Sequence, residues 1–281
     1  MKGCICLDID GTLTADPFSV PQKVWECLES LYAKGWQFLF STGRPYSFAA
    51  QLFTNVKFPF FLSLQNGADL LQMPEKKLLF QDHLSSLFIP QLDVLYKDME
   101  EDFLVYSGFA KGDFCYYRPK RFSLKMLEHL EVVKSIVPEP WQAKEDFTFT
   151  PTDSFPLIKS LGTKKQMEDL EQKLRSFPMV YATCICDPLS KKNVYLNLIT
   201  SSSATKGEVI KKIRSILPPD SFFIAAGEDR NDIPMLREAD FAIVMKNAHQ
   251  ELLPLADILA EPAKDLGIIE ALWKATGETK C

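Results

Sequence analysis

The sequence predicts an α/β protein, with a parallel-sheet core into which a second, α+β unit is inserted. Short apolar runs alternate with helical patterns near the start of the chain, and the same alternation returns towards its end. This alternation is typical of a parallel sheet, because a crossover helix connects each strand to the next. In the middle of the chain, predicted strands follow one another with fewer helices. We therefore place the core at residues 1–82 and 199–281 and the inserted unit at residues 83–198.

The first predicted strand runs from Gly3 to Leu7 and ends at two carboxylates, Asp8 and Asp10. Gly11 permits a sharp turn after them. Ligands of an open parallel sheet bind beyond the carboxyl ends of its strands. Side chains two residues apart share one face of a strand, so both carboxylates can meet one cation or phosphate. Taken alone, the pattern is equally consistent with a strand that ends in a solvated turn.

The other core elements follow from hydrophobic spacing and from glycine, proline and asparagine turn signals. Before the insertion we predict a helix containing Val24, Leu28 and Leu31, strands Trp36–Phe40 and Phe60–Leu64, a helix from Pro45 to about Val56, and a hairpin of Leu70–Met73 with Lys77–Phe80. After it we predict a helix Ala204–Leu217, a strand Phe222–Ala226, an acidic loop Gly227–Asp232, two edge strands Phe241–Val244 and Asp257–Leu259, and helical segments Ala248–Ala256 and Ile268–Ala275.

The inserted unit is predicted by the same signals. Its expected elements are a helix Leu84–Met99, strands Phe103–Tyr106 and Phe114–Tyr117, a helix Ser123–Ile136, a proline-rich loop Pro138–Pro156, a strand Pro156–Leu161, a helix Thr163–Arg175, and antiparallel strands Met179–Cys186 and Asn193–Ile199.

Composition excludes several classes of protein. The net charge of −5, without a block of one sign, argues against a nucleic-acid or anionic-membrane surface. The seven cysteines show no zinc-ligand spacing and indicate buried thiols in a reducing compartment. The N-terminal apolar run is too short for a secretory signal, and no run reaches membrane-spanning length. We therefore expect a cytoplasmic protein that binds neither nucleic acid nor membranes.

Polar groups follow the ends of predicted strands or the start of a helix at four places: Asp8 with Asp10, Thr42 with Gly43, Lys206, and the loop Glu228–Asp232. Each place alone is consistent with an ordinary turn, a solvated lysine or a capped helix start. In this order, however, they resemble the haloacid dehalogenase-like phosphatases, above all the Cof-type branch and the sucrose-phosphate phosphatases. The resemblance lies in Asp8–Leu13, Ser41–Pro45, Gln65–Ala68, Lys206–Gly207, Asn231–Leu236 and Phe241–Ala248.

The resemblance implies a Rossmann-like core and identifies the insertion as a cap. It also implies a phosphomonoester hydrolase acting on a small phosphorylated metabolite, such as a sugar phosphate. By this resemblance Asp8 attacks phosphorus and becomes an aspartyl-phosphate, while Asp10 is the general acid and then the general base. Lys206 holds Asp8 and the phosphoryl group as a point charge.

The same resemblance implies Mg²⁺, a hard cation that prefers oxygen ligands. The implied metal ligands are Asp8, the backbone carbonyl of Asp10, Glu228 and Asp232. The implied phosphate- or substrate-binding residues are Thr42, Gly43, Arg44, Asn66, Gly67, Lys206 and Asn231.

Glu228 departs from the family pattern, which usually has Asp at this position. We expect Glu228 to coordinate the metal, although Asp229 is an alternative ligand. A phosphomutase with the same intermediate and a non-catalytic binding module are the competing functions, and Glu228 is the feature that favours the latter. Cations of the insertion could contact the substrate or be solvated surface charges: Arg118, Lys120, Arg121, Lys191 and Lys192.

Overall fold

A computed structural model describes residues 1–187, 189 and 194–279. The strands are β1 (Gly3–Asp8), β2 (Trp36–Ser41), β3 (Phe60–Leu64), β4 (Asp69–Met73), β5 (Lys77–Gln81), β6 (Leu84–Ser85), β7 (Phe103–Tyr106), β8 (Cys115–Tyr117), β9 (Trp141–Ala143), β10 (Ser154–Phe155), β11 (Leu157–Gly162), β12 (Val180–Cys186), β13 (Tyr195–Ser201), β14 (Phe222–Gly227), β15 (Phe241–Met245) and β16 (Ile258–Ala260). The helices are α1 (Gln22–Ala33), α2 (Tyr46–Ala49), α3 (Ile89–Leu95), α4 (Leu124–Ile136), α5 (Lys164–Leu174), α6 (Lys206–Ile216), α7 (Ile233–Glu238) and α8 (Gly267–Thr276). Within the described residues, none of these helices has the length and apolar character needed to cross a bilayer.

The chain forms two compact units. The first comprises Met1–Thr42, Ala50–Phe80 and the chain from Thr205 onwards, and the second comprises Gly43–Ala49 and the described part of Gln81–Ala204. The segment Gly43–Ala49 therefore groups with the second unit, although it follows directly on Thr42 of the first.

The first unit contains an eight-stranded sheet in the order β16–β15–β14–β1–β2–β3–β4–β5. The strands from β16 to β3 are parallel, and β4 pairs antiparallel with β3. The predicted α/β class is confirmed. One detail is wrong: the strand predicted at Phe241–Val244 lies inside the sheet, because β16 pairs with its outer side.

Both faces of this sheet are covered by apolar side chains. Cys4 and Cys6 of β1 pack with Val209 and Ile213 of α6 on one face. Phe40 of β2 belongs to an aromatic cluster with Trp25, Phe53 and Phe60, with ring centroids 4.8–5.9 Å apart. Alternate residues of a strand point to opposite faces, so a strand buried on both sides consists almost entirely of apolar or small residues. This explains why β1 is buried along its whole length.

The second unit contains a six-stranded sheet in the order β12–β13–β11–β7–β8–β9, antiparallel except where β8 pairs with β9. The predicted antiparallel pairing of β12 with β13 is confirmed. The helix predicted from Leu84 starts only at Ile89, because Leu84 and Ser85 pair with β10. The predicted proline-rich loop contains β9 and β10. Lys191 and Lys192 lie outside the described residues.

Arg118 of the second unit is neither a surface charge nor a substrate contact, because its side chain is fully buried. Its guanidinium donates two hydrogen bonds of 2.7 Å to Asp102 and further bonds to Asp93 and Asp146. It also lies against the rings of Phe103 and Phe147. Paired carboxylates and aromatic faces satisfy a buried guanidinium in this way.

A left-handed turn follows β3. Gln65, Asn66 and Gly67 have φ of 49°, 60° and 106°. A Cβ atom at Gly67 would lie 2.5 Å from the carbonyl oxygen of Thr205, which precedes α6. Only glycine therefore lets the end of β3 approach the start of α6 so closely.

We expect Arg118→Met to lower the free energy of unfolding by about 3–5 kcal/mol, because the buried carboxylate of Asp102 would lose its cation. Arg121→Met is the matched control. Its guanidinium is half-exposed and contacts the same Asp93 at 3.0 Å, so the loss should be about 1 kcal/mol or less. Urea unfolding followed by circular dichroism measures both values, and equal losses would contradict the buried-pair interpretation.

We expect Gly67→Ala to destabilise the protein by about 2–4 kcal/mol, since it adds a steric clash to an unfavourable φ. Gly277→Ala separates the two effects. Gly277 also has a positive φ, of 66°, but nothing lies within 4 Å of its added Cβ, so its cost should be only about 1–2 kcal/mol. Thermal unfolding of both variants checks this difference; a smaller loss for Gly67→Ala would show that the approach to Thr205 is not tight.

Candidate active site

The predicted site residues of the first unit lie at one edge of the sheet. Asp8 is the last residue of β1, Thr42 follows β2, Asn66 follows β3 and Glu228 follows β14. These strands are parallel neighbours, so their carboxyl ends meet at the same edge.

Lys206 joins two of these strand ends. Its ammonium donates hydrogen bonds of 2.6 Å to Oδ1 of Asp8 and of 2.6 Å to Oδ1 of Asp232. Only 1% of the Lys206 residue is exposed. Burial opposes the charge on Lys206, but the two carboxylates outweigh it and raise the pKa of the ammonium above its usual value. Lys206 is therefore a fixed positive charge beside the Asp8 carboxylate.

Helix α6 positions Lys206. The side chain of Thr205 accepts a hydrogen bond from the backbone N–H of Glu208, so Thr205 is the N-cap and Lys206 the first helical residue. Thr205 is not among the site residues predicted from the sequence. Its spacing to Glu208 matches the Thr-x-x-Glu pattern of a capping box, and that signal could have identified it.

Asp232 orders the acidic loop. While Oδ1 accepts from Lys206, Oδ2 accepts the backbone N–H groups of Glu228 and Asp229 at 2.9 and 3.0 Å. Asp229 in turn accepts from the N–H of Arg230. Both oxygens of Asp232 are thus bonded within the protein, and they fix the loop relative to Lys206.

Glu228 extends towards the turn after β1. A Cβ atom at Gly11 would overlap the Glu228 carboxyl group, which therefore lies directly against the Asp10–Gly11 turn. The carboxyl also accepts a hydrogen bond from the amide of Asn247 at 3.2 Å. Burial, followed by the charges of Asp232 and Asp229, raises the pKa of Glu228 to about 7. The Glu228 side chain, which is one methylene longer than that of Asp, thus brings its carboxyl to the turn that contains Asp10.

An amide pair occupies the edge beside Thr42. The amide of Asn231 donates to the side-chain oxygen of Asn66 at 3.0 Å. The backbone N–H of Asn66 donates to the carbonyl of Thr42, and the N–H of Thr42 donates to the carbonyl of Ser63. Thr42, Asn66 and Asn231 are therefore brought together by the left-handed turn after β3.

Gly43 and Arg44 belong to the second unit. There the Arg44 guanidinium lies 4.0 Å from the ring centroid of Phe48. Lys120 is exposed and pairs with Glu145, and Arg121 is half-exposed and pairs with Asp93. Both contacts agree with the interpretation of these two cations as solvated surface charges.

The donors at the sheet edge fit a hard divalent cation in their chemistry. Burial and the negative charges of Asp232 and Asp10 raise the pKa of Asp8, against the opposing charge of Lys206. This surplus of negative charge favours a cation that prefers oxygen ligands. Among the described residues, no three His, Cys, Asp or Glu side chains are grouped as a ready-made metal cage. Mg²⁺ needs no such cage, because it keeps several waters and binds through one or two carboxylates.

Comparison with known proteins agrees with this geometry. Residues 5–272 match the family of haloacid dehalogenase-like hydrolases. A phosphoglycolate phosphatase of Sulfurisphaera tokodaii is 31% identical, over 27% of this chain and only 34% of its own length. The 5-amino-6-(5-phospho-D-ribitylamino)uracil phosphatase of Bacillus subtilis is 20% identical over 95% of this chain and 93% of its own.

A solved structure described as a haloacid dehalogenase-like hydrolase has a similar fold. The structure of a haloacid dehalogenase-like hydrolase from B. subtilis superposes with a TM-score of 0.77 at 16% identity, covering 96% of this chain and 98% of that one. The family match over residues 5–272 confirms the resemblance seen in the sequence motifs and the expectation of an enzyme. The chain belongs to the haloacid dehalogenase-like hydrolases.

Proposed function

We propose that the protein is a Mg²⁺-dependent phosphomonoester hydrolase that acts on a small phosphorylated metabolite through an aspartyl-phosphate on Asp8. The main support is the buried Lys206 ammonium, which contacts the carboxylates of Asp8 and Asp232 at 2.6 Å each. An ammonium held there orients the Asp8 carboxylate and neutralises part of the charge on an incoming phosphoryl group. The relatives named as phosphatases support the same reaction class.

In the proposed reaction an oxygen of Asp8 attacks phosphorus, and the ester P–O bond breaks. Asp10 donates a proton to the departing alcohol. It then accepts a proton from the water that hydrolyses the aspartyl-phosphate, so that inorganic phosphate is released and Asp8 is regenerated. Gly11, with a φ of 78°, turns the chain after Asp10. The backbone N–H of Gly11 donates a hydrogen bond to the carbonyl of Thr14, which closes this turn. The charge of Asp10 raises the pKa of Asp8, which supports a position of Asp10 near the attacking carboxylate.

The phosphate oxygens are proposed to bind the Thr42 hydroxyl, the Gly43 amide, Lys206 and the amide of Asn231. The proposed role of Asn231 is supported by its hydrogen bond to Asn66, because this bond fixes the orientation of the Asn231 amide. Arg44 and Asn66 are proposed to contact the substrate beyond its phosphate.

Mg²⁺ is proposed to be held by Asp8, the backbone carbonyl of Asp10, Glu228 and Asp232. When bound, it neutralises the repulsion between the attacking carboxylate and the phosphate dianion. The support is the position of the Glu228 carboxyl, which lies against Gly11. Glu228, the residue that departs from the family pattern, thus lies beside the turn that contains Asp10. The oxygens of Asp232 also accept hydrogen bonds from Lys206 and from the N–H groups of Glu228 and Asp229, so Asp232 is proposed to serve either as a ligand or by positioning Lys206 and the loop that contains Glu228.

The inserted unit, residues 83–198, is proposed to be a cap that selects the organic part of the substrate and excludes water during the reaction. Its separate sheet and its two apolar clusters support an independently folded unit.

The purified protein is expected to release inorganic phosphate from p-nitrophenyl phosphate with Mg²⁺ and to lose this activity with EDTA. Asp8→Asn should lower kcat by about a thousandfold or more, because an amide is a poor nucleophile. Asp220→Asn, at an exposed position of the same unit, is the control and should keep wild-type activity. Full activity of Asp8→Asn would contradict the proposal, and phosphate that returns to a hexose phosphate without release would indicate a mutase.

Glu228→Gln is expected to raise the Mg²⁺ concentration for half-maximal activity by about ten- to a hundredfold, because it removes a charged ligand. Glu228→Asp should keep metal-dependent hydrolysis. Glu270→Gln, on an exposed face of α8, is the control for a lost charge. A titration of activity with Mg²⁺ measures all three, and an unchanged titration for Glu228→Gln would exclude Glu228 as a ligand.

A further inference from the structure

Asn247 lies in the turn that follows β15, and it contacts Glu228 of the acidic loop. Its side-chain amide donates a hydrogen bond of 3.2 Å to Oε2 of Glu228. The backbone N–H of His249 donates to the carbonyl of Glu228 at 2.9 Å. The turn is closed by the N–H of Ala248, which donates to the carbonyl of Met245. Glu228 is thus attached to this turn through both its side chain and its backbone.

Strand pairing holds this turn and Glu228 at the same edge of the sheet. β15 is the parallel neighbour of β14, and Gly227, the residue before Glu228, pairs with Val244. On its other side the turn is anchored to β16, because the N–H of Lys246 donates to the carbonyl of Ala260 at 2.8 Å. All these residues belong to the first unit.

The two carboxyl oxygens of Glu228 have different surroundings. Oε2 is the atom that accepts the hydrogen bond from Asn247. A Cβ atom at Gly11 would lie closer to Oε1 than to Oε2, so Oε1 is the oxygen that faces the turn after β1. Hydrogen bonds from outer residues orient the carboxylates that bind metals. The bond from Asn247 therefore fixes the rotation of the Glu228 carboxyl and engages one of its two oxygens.

The length of the Glu228 side chain makes such a restraint useful. Glu has one more rotatable bond than Asp, so its carboxyl can take more orientations from the same backbone position. The backbone of Glu228 is held on both sides, since its N–H donates to Asp232 and its carbonyl accepts from His249. Those bonds leave the side-chain torsions unrestrained, whereas the bond from Asn247 acts on the carboxyl itself.

We propose that Asn247 is a positioning residue that makes Glu228 a ligand through one oxygen only, and that it thereby favours Mg²⁺ over Ca²⁺. The inference rests on the proposed function, in which Glu228 is a metal ligand. Mg²⁺ demands near-ideal octahedral geometry, whereas Ca²⁺ takes about six to eight oxygen ligands and accepts both oxygens of one carboxylate. A carboxyl with one oxygen engaged by an amide suits the smaller cation, and a freely rotating Glu would suit the larger one.

The test measures binding of Mg²⁺ and of Ca²⁺ to the metal-free protein by isothermal titration calorimetry at one fixed pH, so the readout does not depend on catalysis. Asn247→Ala should raise the Kd for Mg²⁺ by about tenfold, because the Glu228 carboxyl loses its fixed orientation. The Kd for Ca²⁺ should change less than about twofold, because the released Oε2 becomes a further ligand. The preference for Mg²⁺ over Ca²⁺ should therefore fall by about tenfold.

Two further variants separate positioning from a general loss of structure. Gln250→Ala removes another exposed amide close to Asn247 in the sequence and is the matched control, so it should leave both Kd values unchanged. Glu228→Ala removes the carboxyl on which Asn247 acts. In that background Asn247→Ala should change neither Kd further, because a positioning residue acts only through its partner.

The outcomes separate this inference from the proposed function. Equal changes of the two Kd values in Asn247→Ala, or no change in either, would overturn the inference. So would a loss of Mg²⁺ preference that Asn247→Ala still causes in the Glu228→Ala background. In both cases wild-type protein that hydrolyses p-nitrophenyl phosphate only with Mg²⁺ would leave the hydrolase proposal intact. Wild-type protein that binds no Mg²⁺ would count against the metal in the proposed function, and against the inference with it.

Discussion

The buried Lys206 ammonium is the constraint on which the first unit depends. An ammonium transferred from water into a protein interior costs several kcal/mol unless carboxylates surround it closely. Asp8 and Asp232 meet this need at 2.6 Å each, and they come from the end of β1 and the acidic loop after β14. Three segments that are far apart in the sequence must therefore reach their final positions together.

The same ion pairs connect stability with chemistry. Asp232 uses one oxygen for Lys206 and the other for the N–H groups of Glu228 and Asp229, so placing Lys206 also places the loop that presents Glu228. The carboxylates outnumber the ammonium, and burial together with the charge of Asp232 raises the pKa of Asp8. If the number of carboxylates equalled the number of ammonium groups at this site, the protein without a metal would be more stable, but the site would have less affinity for a divalent cation.

Local patterns predicted the class of the first unit well, because buried strands and the helices between them are visible as short apolar runs. They also indicated which strand ends contain polar groups. What they missed depends on distant partners: β16 covers β15, β10 pairs with Leu84 and Ser85, and Arg118 is buried because carboxylates from three other segments surround it. The position of Glu228 against Gly11 also requires the folded loop, since the sequence gives only the length of its side chain.

Two buried charged residues in the second unit differ in how completely the described residues satisfy their hydrogen bonds. The guanidinium of Arg118 has bonds to Asp93, Asp102 and Asp146 and aromatic rings on its faces, so it needs no ligand. The Oε2 atom of Glu139 has no such donor among the described residues, although Lys159 and Arg44 influence its pKa. A protein retains a buried acceptor in this state at a cost in stability. Burial alone therefore does not define the role of a charged residue: Arg118 stabilises the second unit through its bonds, whereas the open Oε2 atom of Glu139 costs stability.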